Sequence, residues 1–199
     1  MAVGSIISFI FDGLCVVTGN FIGNGSAALV RRQALVDARG FESGLRAAGA
    51  QGCEDLLFYC RVAEQHRFAV VPDYLVGYRY LPDNMSSSLP RMLRSWMLVV
   101  DEMEARHPGR RTALAAGMCN YGAWLLFKAL TIGRPGYFLS VLWLLARRDP
   151  RIAFKALGGE LPRSLAKAVR RRLRAWRRRR RGSPDLRITF PIEEPRQCA

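Results

Sequence analysis

The sequence is poor in the residues that hold metals and disulfides. Its five cysteines, Cys15, Cys53, Cys60, Cys119 and Cys198, are scattered with no CxxC pair, and there are only two histidines, His66 and His107. This argues against a zinc site or a disulfide framework and for free thiols in a reducing compartment. Long uninterrupted apolar runs are also lacking. The run 3–17 is shorter than the roughly 20 residues a spanning helix needs. It has no positively charged flank and Asp12 interrupts it, so it does not read as a signal peptide. The longer stretch 121–146 is broken by Lys128 and by Arg134-Pro135-Gly136. It reads as two helices, packed on the domain or lying on a membrane. Acids are missing from one segment altogether: residues 163–181 hold eleven Lys or Arg and no Asp or Glu. Net charge is +15, so taking away those eleven leaves +4 for everything else. The basic excess belongs to the tail, not to the fold.

What is present is enough for one ordinary domain and an appendage: 199 residues, half of them hydrophobic. The run 5–17 is a helix or a buried strand. Gly19-Asn20 and Gly23-Asn24-Gly25 are turn signals around Phe21-Ile22. The small, apolar segment 26–31 suits a buried strand, 33–38 a short helix stopped by Gly40, and the glycine-rich 41–52 a loop. Residues 54–65 carry Leu56, Leu57, Cys60, Val62 and Ala63 at helical spacing, with acids at the start where the helix dipole favours them. Segments 68–71 and 74–80 read as strands, and Ser86–Ser88 before Pro90 as a helix start. From there only helices are expected, over 91–106, 112–131, 136–147, 150–157 and 162–181. The residues from Gly182 on read as a disordered end. The fold class expected is therefore α/β up to about residue 88 and all-helical beyond it. Two or three strands make a poor independent sheet, so the first part reads as a piece of a larger one. The expected divisions are 1–88, a helical region 89–160, a basic amphipathic helix 161–181 and the tail 182–199.

Glu54-Asp55 opens a helix directly after a glycine-rich loop. Acids there often do no more than complement the dipole. A carboxylate held ionised at that place and aimed into a cleft can also take a proton from an attacking hydroxyl. The surrounding order of motifs favours the second use. Gly23-Asn24-Gly25-Ser26-Ala27, Arg31-Arg32, Gly40-Phe41-Glu42, Gly52-Cys53-Glu54-Asp55, Arg61, Pro72, Tyr78-Arg79 and Met85-Ser86 follow one another along residues 19–88. This series resembles the second half of the family 2 glycosyltransferases, whose fold is called GT-A. No single element is specific; the order and spacing together are.

The resemblance implies a partial GT-A-like mixed sheet and an inverting transfer of sugar from a nucleotide-sugar donor. The acceptor would be a hydroxyl of a saccharide or lipid-linked glycan, in cell-envelope polysaccharide synthesis. It makes Asp55 the general base and Glu54 the acid beside it, facing the acceptor. Gly25 and Ser26 would border the sugar pocket. Tyr78 and Arg79 would close the acceptor side, although Tyr78 also suits plain packing and Arg79 a diphosphate. Arg61 would pair with a carboxylate of the helix start or lie solvated on the helix. The family's nucleotide-binding half and its DxD motif for Mg²⁺ or Mn²⁺ have no counterpart here, so the cation belongs to the complete enzyme and this chain alone is expected not to transfer sugar. Arg39-Gly40-Phe41 stands where the family has Gly-Gly-Phe, and Tyr80-Leu81-Pro82 where a histidine is usual.

The basic tail carries Leu165, Val169, Leu173 and Trp176 as one apolar stripe on a cationic helix. That suits an anionic membrane surface, with a solvated tail second and nucleic acid third. The expected location is cytoplasmic, peripheral on the inner face of the membrane. The rival to the enzyme is a non-catalytic basic helical module, in which Glu54-Asp55 is only a helix start.

Overall fold

A nine-residue helix buried on nearly every side positions the site. The computed structural model describes residues 22–42, 44–69, 71, 75–77 and 84–180. In chain order the helices are α1 (Arg32–Asp37), α2 (Gly44–Ala47), α3 (Glu54–Val62), α4 (Leu89–Arg106), α5 (Arg111–Thr131), α6 (Pro135–Arg148), α7 (Pro150–Lys155) and α8 (Leu161–Arg180). Short 3₁₀ turns, Met85–Ser87 and Pro108–Arg110, precede α4 and α5, and a π turn, Ala156–Glu160, joins α7 to α8. That helix is α3, in which Leu56, Leu57, Phe58, Tyr59, Cys60 and Val62 are all buried. No one-sided stripe could do this; α1 and α4 pack against the helix and the loop 22–30 lies on it.

The α/β expectation is overturned. Among the described residues the protein is all-helical, with no strand and no sheet. A strand is stable only where a neighbour satisfies its backbone groups. Among the described residues segment 26–31 has none: it begins with a turn in which the Ala27 N–H donates to the Asn24 carbonyl at 3.2 Å, and Leu29 is fully exposed. Segment 68–71 contributes one isolated bridging residue, Phe68, and 75–77 is irregular. The loop 41–52 contains α2, a single turn. The run 5–17, most of 74–80 with Tyr78 and Arg79, and the residues from 181 on lie outside the described residues.

The remaining helices lie close to where hydrophobic spacing and punctuation put them. Helices α4, α5 and α6 pack pairwise into a bundle, and α7, the π turn and the start of α8 close onto α5. Gly133 takes the left-handed conformation (φ 68°) that ends α5, and Pro135 opens α6 in its first turn, where a missing N–H costs nothing. Asp149 caps α7, its carboxylate accepting from the Arg151 N–H at 2.8 Å. One continuous core runs from Ala34 to Leu161, so α1 and α3 share it with the bundle.

Candidate functional site

The loop before α3 sets the geometry of its first turn. Gly52 has φ 101°, a conformation that L side chains rarely adopt, and its N–H donates to Glu54 Oε2 at 2.8 Å. Glu54 is thus folded back on its own loop. Asp55, one position on, turns to the other side. Its Oδ1 accepts from the Leu56 N–H at 2.7 Å, and it lines a cavity of about 350 Å³. Beside it lies the loop 22–26. The Tyr59 hydroxyl donates to the Asn24 carbonyl at 3.1 Å, and Asn24 Oδ1 accepts from the Ser26 N–H at 2.9 Å. These bonds hold Gly23 on the cavity wall and Gly25 against Asp55; a Cβ on Gly25 would stand 3.7 Å from that of Asp55. Ser26 is exposed beside them.

Another part of the lining comes from α4 and α5. Trp96 and Tyr121 stack with ring centroids 3.9 Å apart and planes 14° from parallel, and Trp124 continues the stack at 5.5 Å from Tyr121. Trp96 is buried, while Trp124 and Asn120 reach solvent at the mouth. The Trp96 indole N–H is buried and finds no acceptor among the described residues. Lys128 Nζ stands 5.1 Å over the Trp124 ring.

This setting is weakly polar, and it acts on every titratable group in it. Burial raises the Asp55 carboxyl above its ordinary value; the Leu56 N–H pulls it back in part, and the Glu54 charge pushes it further up. Burial also pushes the Cys53 thiol up to about 12. It does the same to the Tyr59 phenol, to about 12, with the Asp55 charge adding to it. Tyr121 is held well above its usual value by burial first, then by Cys53 and Asp55. Cys53, Tyr59 and Tyr121 are therefore neutral at pH 7, which leaves Glu54 as the charge that bears on Asp55, and no lysine, arginine or histidine among the described residues forms an ion pair with it. The helix start favours the anion and burial opposes it; burial prevails. A carboxylate raised in this way is a stronger base than one in water.

Arg61 lies elsewhere. Its Nε donates to Glu102 Oε1 at 2.8 Å, and its Nη2 to Glu102 Oε2 at 2.9 Å and to Glu42 Oε2 at 2.5 Å. It fastens the C-terminal end of α3 to α4 and to the loop after α1, and reaches neither Glu54 nor Asp55. Glu64, Arg106 and His107 extend the same ionic seam, with Arg106 to Glu64 at 2.9 Å. The site residues brought together are thus Asp55, Gly25 and Gly23. The donor set near Asp55 does not suit a divalent cation: Glu54 is turned away, and among the described residues no three His, Cys, Asp or Glu side chains converge. Trp96, Asn120, Tyr121 and Trp124 are the site residues that sequence reading missed. Their signal was an Asn-Tyr-x-x-Trp pattern on one face of a segment read only as apolar helix.

Compared with known proteins, the chain matches no family model, no curated protein and no solved structure.

Proposed function

We propose that the Asp55 cavity is the acceptor side of an inverting sugar-transfer site. The observation that carries this reading is a half-buried carboxylate, Asp55, that lines one cavity together with three aromatic rings, Trp96, Tyr121 and Trp124. Pyranose rings present apolar C–H faces and polar edges, so a lining of aromatic rings and a carboxylate suits them. The acceptor would be a hydroxyl of a saccharide or lipid-linked glycan, with the Trp124 ring and Asn120 at the mouth against the rest of the sugar. Asp55 would take the proton of that hydroxyl as its oxygen forms the new bond to the anomeric carbon. The nucleotide diphosphate leaves from the opposite face, so configuration inverts. The order of motifs along 19–88 supports the same reading. Among the described residues that line the cavity none is a cation, so donor binding and leaving-group stabilisation are assigned to other parts of a complete enzyme.

The test is binding, because turnover by this chain alone is not expected. Tryptophan emission and side-chain NMR of the purified protein are followed against a panel of mono- and disaccharide glycosides. Sugar binding should perturb the Trp124 and Asp55 signals together, and Trp124→Ala should weaken it by about tenfold, the scale of one lost aromatic contact. If no glycoside moves either signal, the acceptor-site reading fails.

A further inference from the structure

The last helix carries a property that the sugar site does not use. Among the described residues helix α8 is anchored by its first turns: Leu161 is buried, Ser164 and Ala168 are half-buried, and the helix packs on α5 and the π turn. At roughly 100° per residue, Leu165, Val169, Leu173 and Trp176 fall on one strip adjacent to that anchored face, not within it. All four are exposed, Leu165 by 40%, Val169 by 55%, Leu173 by 49% and Trp176 by 50%. Arg170 and Arg172 flank the strip on opposite sides by the same geometry, and both are exposed. The helix thus presents an apolar stripe, bordered by cations, over a length of about 16 Å at 1.5 Å per residue.

We propose that this stripe docks α8 in the plane of a bilayer surface carrying anionic phospholipid. The apolar side chains enter the headgroup–acyl boundary, Trp176 sits at headgroup level, and the flanking guanidiniums meet lipid phosphates. Charge complementarity selects an anionic partner: eleven Lys or Arg stand between residues 163 and 181 with no acid among them. The stripe then selects a membrane over a nucleic acid. Phosphate backbones are neutralised by cations alone and give no return for burying leucine and valine. Among the described residues no helix is long and apolar enough to cross a membrane, so the contact is with the surface. The inference rests on α8 and stands independently of the role given to Asp55.

The experiment is co-sedimentation of the full chain with vesicles of phosphatidylcholine alone and of phosphatidylcholine with phosphatidylglycerol. Duplex DNA at the same ionic strength is the competing ligand. One variant carries Leu165→Gln, Leu173→Gln and Trp176→Gln, the other Arg170→Gln, Arg171→Gln, Arg172→Gln and Arg174→Gln. All these positions are exposed and glutamine is a good helix former. Circular dichroism confirms that both keep the helix content of the parent. The protein should bind the anionic vesicles and not the neutral ones, and each variant should lose about tenfold or more in vesicle affinity. Vesicle affinity unchanged in the stripe variant would overturn the proposal. So would duplex DNA binding that outcompetes the vesicles and ignores the stripe.

Discussion

Asp55 holds its proton more tightly in the folded protein than in the unfolded chain, and the sign of its contribution follows. Between the ordinary carboxylate value and the raised one, the folded state binds more protons. Stability is therefore highest below the ordinary value, and falls as pH rises through the folded midpoint; above it the fold bears the whole cost of the buried charge. Asp55→Asn removes that cost and keeps an oxygen for the Leu56 N–H. Its melting temperature should exceed the parent's at pH 7, with the gap closing as pH falls to about 3. Thermal melts across that range check this; a variant less stable than the parent at pH 7 contradicts it. Arg39 makes a second case. It stands at φ 60° and is followed by Gly40 at φ 64°, two left-handed residues in a row. Only glycine adopts this freely, so Arg39→Gly should stabilise the fold by up to about 1 kcal/mol, less the entropy glycine adds to the unfolded chain. Urea denaturation at constant m-value reads the difference.

At the scale of elements, the bundle depends on a close approach. A Cβ at Gly122 on α5 would come within 2.7 and 2.9 Å of the two Leu145 methyl carbons on α6, and Leu145 is completely buried. Gly122→Val should cost about 1–3 kcal/mol through overpacking, and adding Leu145→Ala should recover part of that loss. A double-mutant cycle by denaturation measures the coupling; simple additivity would show that the contact is not the cause. The ionic seam fixes α3 instead. The Arg61 side chain is only 10% exposed and holds two carboxylates, so Arg61→Leu should cost about 1–3 kcal/mol by removing the cation of Glu42 and leaving Glu102 with Arg106 alone. Helices were legible in the sequence because their signals are local. Apolar spacing marked 54–65 and 112–131, and Arg134-Pro135-Gly136 marked the turn between α5 and α6. The strand expected at 26–31 failed for the matching reason. A short apolar run such as 26–31 is a strand only with a neighbour beside it, and periodicity says nothing about neighbours.

For the whole molecule, the same limit applies to the site. Glu54-Asp55 after a glycine-rich loop was readable as a helix start, while Gly25 was readable only as part of a turn, and the resemblance alone put it by the pocket. That Asp55 turns inward while Glu54 folds back onto Gly52 depends on the loop geometry, which no spacing rule supplies. Trp96 and Tyr121 lie 25 positions apart, and they meet only because α4 and α5 pack side by side. The cavity is thus a product of the bundle, and the bundle in turn makes its floor weakly polar.

The most direct measurement is a carbon-13 NMR titration of the Asp55 carboxyl in the folded protein, repeated with a bound acceptor glycoside. The account predicts a midpoint above the ordinary value of 3.8 and a further displacement when the sugar is present. A midpoint at or below 3.8, indifferent to every glycoside, would contradict it.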